Sequence, residues 1–506
     1  MGGAEVMAKT YGAAGTAHGV VRPKSDGNLA TNGRKLEVVG IPIQVPRAVF
    51  GAAVALALLP VGAIAATTWQ GAVRLDQVSD RYRGSGVGVA LIDTGVTPSA
   101  DLGGRLLARV DLTPEGDGID HYGHGTHMAG LIAGDGTLAG GAAEGAAPAA
   151  NIVSVKVAGW DGATDVTTVI AGLRWAVANR DRYGLRVINL SYGTDSLQQP
   201  DSDPLDYAVE QAWAAGLAVV VSAGNDAGPV SKPGDDPFVI TVGAADVHGT
   251  ASVADDTVAA FSSDGPRKPD LVAPGVSLVS LRAPGSTVDV FNETARVGDA
   301  YFKGSGTSQA AAVVSGVIAR MIDANAALTP DQIKGALVAS ANGTLVGPGA
   351  GAGLVDADEA LSSTNPSKKG KGPGLVIPRA NRGVVASTGL GSIAASRGTE
   401  PVVADLDGDG VPEPVTGEVD VLGNPWDAAG FAATPWTAAT LAASPWTPLT
   451  TELTAAATLP AAAAPPRVAW EARHWGATDW VSAGWDAQAW AARHWGARHW
   501  GAFGWQ

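Results

Sequence analysis

The chain has 506 residues, 46% of them apolar and only 16% charged, and a formal net charge of −15. This is enough apolar material for one large α/β domain with appendages. So acidic a chain, with no run of five basic residues, excludes an electrostatic nucleic-acid binder, and the absence of cysteine excludes disulfides and thiolate chemistry and leaves the redox compartment unmarked.

Residues 1–47 are a polar leader, long for the start of a secretory signal, and a start at Val45 or Val49 is one explanation. Residues 48–66 are almost wholly apolar, follow Arg47 and end in Ala63-Ile64-Ala65, a small-x-small cleavage pattern. They read as a signal peptide or, uncleaved, a signal anchor. The expected location is therefore extracellular or cell-surface. A connector, 67–82, leads into a unit expected over 83–362. Apolar runs at 86–92, 151–157, 186–190, 217–222 and 238–242 predict strands, and the patterns at 166–182 and 204–215 predict helices. Strand and helix alternate, and the strands lack polar alternation. This predicts an α/β fold with a largely parallel sheet covered on both faces. A buried helix is expected from Ser308 to Asp323, and Thr329 followed by Pro330 opens another. Residues 363–374 read as a linker, 375–424 as a small extension and 425–506 as an alanine-, proline- and tryptophan-rich repeat tail.

Three segments of the central unit carry chemistry. Val89-Ala90-Leu91-Ile92-Asp93-Thr94-Gly95 puts a carboxylate at a strand end, where open α/β sheets keep their sites. Asp93 is expected to hold one nitrogen of a histidine as N–H. His124-Gly125-Thr126-His127 is a loop entering a helix, and His124 is the candidate general base. His127, three residues on and without an intervening glutamate, does not fit a His-Glu-x-x-His metal site. It is expected to be packed and hydrogen-bonded, and His121 to lie at the surface. Gly304-Ser305-Gly306-Thr307-Ser308 presents a hydroxyl at a helix N-terminus, where unpaired amides stabilise an oxyanion. Asn225, in Ala223-Gly224-Asn225 after a hydrophobic strand, is the candidate second oxyanion donor, a contribution of roughly 3–4 kcal/mol. The order Asp, His, Ser, without a Gly-x-Ser-x-Gly elbow, excludes an α/β-hydrolase esterase.

In these segments, their order and their rough spacing, residues 83–362 resemble the subtilisin-like serine proteases, the subtilases. The resemblance implies a three-layer fold with a mostly parallel sheet of about seven strands between helices. It implies a serine endopeptidase acting on protein or peptide, with Asp93, His124 and Ser308 as triad and Asn225 in the oxyanion hole. It also implies that Ser191, Tyr192 and Gly193 line the substrate cleft and pair with a bound peptide by strand addition. No cofactor is required for such catalysis. Gln309 and Ala312 depart from the family's methionine and proline, and 66–82 is too short to fold as an inhibitory propeptide domain. A catalytically inactive scaffold of the same fold, binding extracellular protein or glycan through its tail, is the alternative.

Asp405, Asp407 and Asp409 alternate around Gly408 like the start of a calcium loop, which makes structural calcium a candidate, but Thr416 stands where a bidentate glutamate would close it. In the tail, tryptophans recur every five residues from 470 to 505. On a helix that spacing rotates successive rings by about 140°, which disfavours an amphipathic membrane helix. Repeated short strands and turns in a folded solenoid, a disordered adhesive tail touching cell surface or wall, or a neutral expansion of a duplicated five-residue unit fit better.

Overall fold

The computed structural model describes residues 69–367, 376–399, 402–404, 406, 413–442 and 451–454. The leader 1–47, the apolar segment 48–66, residues 368–374 of the linker, the candidate calcium ligands Asp405, Asp407 and Asp409, and the five-residue tryptophan repeat lie outside the described residues. Among the described residues no helix is long and apolar enough to cross a membrane.

The strands are β1 (Gly88–Asp93), β2 (Leu106–Asp111), β3 (Asn151–Lys156), β4 (Leu185–Leu190), β5 (Ala218–Ser222), β6 (Ile240–Asp246), β7 (Thr257–Val258) and β8 (Leu271–Pro274), and all but the short, partly exposed β7 are largely buried on both faces. Seven of them pair in parallel in the order β2-β3-β1-β4-β5-β6-β8, and β7 adds antiparallel to β6. A second sheet joins β9 (Leu278–Leu281), β10 (Arg296–Val297) and β11 (Tyr301–Gly304). Farther on, β12 (Val403–Ala404) pairs with β13 (Glu413–Pro414), and β14 (Thr451–Thr454) runs antiparallel along the free edge of β2. Such an addition covers an otherwise open row of backbone donors and acceptors.

The helices α1 (His124–Ala133), α2 (Val166–Ala178), α3 (Pro204–Ala214), α4 (Thr307–Ala324), α5 (Pro330–Ser340) and α6 (Ala357–Thr364) complete the three-layer α/β fold. Alanine- and valine-rich α4 crosses β4, β5, β6 and β8 and packs on α1, whereas α2 and α3 pack together against β1, β3 and β5. Local chemistry sets their starts. The Asp165 carboxylate accepts from Thr167 N, that of Asp203 from Leu205 N beside Pro204, and Thr329 forms a capping box with Gln332. Each such cap stabilises its helix by about 1 kcal/mol.

Two boundaries differ from those expected. β6 begins at Ile240, because the Asp236 carboxylate accepts from Phe238 N and Val239 N and holds them in a turn. α2 ends at Ala178, where the Asn179 backbone caps it, and a separate turn, Arg180–Tyr183, closes on Gly184 at φ +59°. The chain on either side of 83–362 shares the main core. Trp69 and Val73 are buried and Val73 O accepts from Ala357 N, while Ile393, Trp426, Phe431 and Trp436 pack from the other end.

Candidate active site

The register of the sheet aligns the carboxyl ends of three neighbouring strands. Asp93 pairs with Lys156 of β3, and Ile92 pairs with Leu190 of β4. Asp93 thus emerges at the centre of the carboxyl edge. Its Oδ1 accepts from Thr94 N at 2.7 Å and lies 2.8 Å from His124 Nδ1, whose distance to Oδ2 is 3.0 Å. A carboxylate is an acceptor only, so the histidine carries its N–H on Nδ1 and leaves Nε2 as the basic nitrogen. Burial pushes the Asp93 carboxyl above its ordinary range, against the opposing pull of the His124 charge and hydrogen bond.

The approach of α1 to β1 depends on a missing side chain. A Cβ on Gly125 would overlap Gly95 O and lie 3.0 Å from Asp93 Oδ1, so any other residue would push His124 away from its carboxylate. Asp120 then clamps the loop. One oxygen accepts from Gly123 N at 2.6 Å and Thr94 Oγ1 at 2.8 Å, and the other accepts from Thr126 N and Thr126 Oγ1, both at 2.7 Å. Buried Lys156 donates to Thr94 O at 2.9 Å and pairs with Glu115 at 3.0 Å. Sequence reasoning missed Asp120 and Lys156. The signal available was Asp120 four residues before His124, a spacing that lets a carboxylate reach the first amides of the helix.

Ser308 lies in the first turn of α4, buried, and α4 packs on the helix that begins with His124. Gly306 N donates to Gly275 O at 2.8 Å, fixing the turn that delivers the serine. Asn225 follows β5. Its Oδ1 accepts from Thr307 N at 2.9 Å and Thr307 Oγ1 at 3.0 Å, so its NH₂ end is turned away from Thr307. Ser191, Tyr192 and Gly193 leave the carboxyl end of β4 and are buried, and Asn189 Nδ2 donates to Ser191 Oγ at 3.3 Å. Next to them Thr194 and Lys232 exchange backbone hydrogen bonds of 2.9 and 3.0 Å. Gln309 and Ala312 are buried in α4.

The other histidines separate cleanly. His127 is buried and its Nε2 donates to Phe302 O at 3.1 Å; burial, and then the His124 charge, push its pKa down to about 3, so it stays neutral. His121 is half-buried, and its Nε2 lies 2.8 Å from Asp117 Oδ2. Glu115, Asp117 and His121 bring ligand-type atoms within 4.8 Å of one another, but Lys156 already compensates Glu115 and His121 already pairs with Asp117.

A buried carboxylate–imidazole pair at the carboxyl edge of a parallel sheet, with a serine in the first turn of a helix that packs on the histidine's helix, is the layout of an α/β hydrolytic protein. The subtilase family profile matches residues 84–372, and the chain belongs to that family. It is 42% identical over 265 residues to "Serine protease AprX" of Bacillus subtilis (strain 168), covering 50% of this chain and 60% of that protein. It is 36% identical over 279 residues to "M-protease" of Shouchella clausii (strain KSM-K16), covering 55% and 64%, and to "Subtilisin Savinase" of Lederbergia lenta, covering 55% and 91%. The match thus spans under two thirds of the first two relatives. Among solved structures, one described as proteases from Pseudoalteromonas arctica PAMC 21717 aligns over 59% of this chain and 94% of that chain, with a TM-score of 0.48 and 25% identity.

Proposed function

We propose that this chain is a serine endopeptidase that cleaves peptide bonds through Asp93, His124 and Ser308. The observation that carries this reading is the paired contact of His124 Nδ1 with both Asp93 oxygens, at 2.8 and 3.0 Å. Ser308 Oγ attacks the scissile carbonyl carbon and its proton passes to His124 Nε2. Asp93 stabilises the imidazolium. The oxyanion is held by the NH₂ of Asn225 and the backbone N–H of Ser308. Collapse of the tetrahedral species returns the proton to the leaving amine and leaves an acyl ester on Ser308. Water, deprotonated by the same histidine, releases the acid. Ser191, Tyr192 and Gly193 offer backbone to an extended substrate.

The site of action is outside the cytoplasm, a reading that rests on the apolar segment 48–66. Casein hydrolysis by the full chain, beside Ser308→Ala and His124→Ala variants, tests the proposal. Cleavage by the parent alone is expected. Equal activity in the parent and the Ser308→Ala variant would refute it.

A further inference from the structure

β1 lies between β3 and β4, so the chain leaving β3 and the chain leaving β4 flank Asp93 on its two sides. The first is the loop 157–165. Its Gly162 sits against Tyr122, two residues before His124; a Cβ there would lie 2.9 Å from the ring. The second is 191–196, which contains the candidate cleft segment. In sequence these loops are independent. In the fold a single stretch of the C-terminal extension holds both.

On the β4 side, Thr194 Oγ1 donates to Ser396 O at 2.8 Å, and Asp195 accepts from Thr399 N at 2.9 Å and Thr399 Oγ1 at 2.7 Å. On the β3 side, Arg397 Nε donates to buried Asp165 at 2.6 Å, and Arg397 also donates to the carbonyl oxygens of Gly417 and Val419. Ala163 of the same loop packs in a small apolar cluster with Val402 and Ala404, beside and in β12, and with Val415 beside β13. Residues 396–399 therefore bridge the two loops, and the β12–β13 pair backs the bridge.

We infer that this bridge sets the spacing of the two walls that grip an extended polypeptide away from the scissile bond, making Arg397 a positioning residue for long substrates. The inference rests on the endopeptidase reading given above. Remote binding energy is usable only if the walls stand where the peptide backbone needs them. A reagent that occupies only the surroundings of Ser308 does not need them.

The test compares the full chain with an Arg397→Met variant in three assays: labelling of Ser308 by a small alkyl fluorophosphonate, and cleavage of a dipeptide and of a hexapeptide anilide. Labelling and dipeptide cleavage are expected to stay within about twofold, while kcat/KM for the hexapeptide falls about tenfold or more, mainly through KM. Parallel losses on all three, or no change on any, would overturn the inference. If Arg397→Met does not fold, Thr399→Val removes the hydroxyl bond to Asp195, and a smaller loss confined to the hexapeptide is expected; a length-independent result overturns the inference equally. Failure of the parent chain to label at all would instead sink the endopeptidase reading, and this inference with it.

Discussion

Two buried aspartates, Asp93 and Asp165, are anchored alike and paired differently. Each accepts a hydrogen bond from a nearby backbone N–H, Asp93 from Thr94 and Asp165 from Thr167. Each also meets a basic side chain from far along the chain: His124 in one case, Arg397 in the other. Imidazole is the side-chain type that takes and releases a proton near neutrality, whereas guanidinium does not. On the proposed reading, one buried carboxylate orients a proton-transfer imidazole at the sheet edge, and the other ties the extension to the start of α2. The partner, more than the aspartate, decides what a buried carboxylate does.

The comparison breaks most visibly at the imidazole. His124→Ala is expected to lower kcat on casein or a peptide anilide by about 10⁴-fold or more while the fold stays intact by circular dichroism. Asp93→Asn keeps the shape but favours the wrong histidine tautomer, and a loss of about 10³–10⁴-fold in kcat is expected from the same initial-rate assay. On the proposed reading, Asn225→Ala removes one oxyanion donor and should cost about 10²–10³-fold in kcat with KM little changed.

At the other aspartate the expected effect is on stability. Arg397→Met leaves Asp165 buried without its cation and should destabilise the chain by about 3–5 kcal/mol in urea unfolding. That measurement belongs in a Ser308→Ala background, so that self-cleavage does not intervene. A loss of small-probe reactivity as deep as that of His124→Ala would erase the distinction between the two sites.

The smallest effect is a pH slope. Glu210 accepts from Ser387 N of the extension at 2.7 Å, and burial raises its pKa from 4.5 to about 8. Between those values the folded chain holds a proton that the unfolded chain has released. Stability should therefore fall as pH rises from 4.5 to about 8. Asp236, raised to about 6, acts in the same direction. Urea midpoints across that window should fall less steeply for Glu210→Gln than for the parent; an identical slope would show that Glu210 does not titrate there.

Much of the sheet was legible because its central strands are unbroken apolar runs, as in Val89–Ile92 and Ala218–Val221. β2 was not, because Arg109 and Asp111 interrupt its pattern although both are buried. The short strands β9, β10 and β11 carry too few residues to show a period. The candidate site was readable where its chemistry is written in consecutive letters, as around Asp93, His124 and Ser308. Its supports were less so. Lys156 reads as an ordinary strand-end lysine, and only the fold brings its ammonium to Thr94 O, 62 residues away. The extension was least legible of all. Arg397 and Asp165 stand 232 residues apart, and Trp426 and Trp436, which resemble tail repeats, both pack around Phe431 with ring centroids 4.8 and 6.2 Å from it.

The most direct test of the account is to react the full chain with a fluorophosphonate and locate the adduct by peptide mass spectrometry. One equivalent on Ser308, abolished by His124→Ala, is the predicted result. Modification of another residue, or undiminished labelling when His124 is gone, would contradict it.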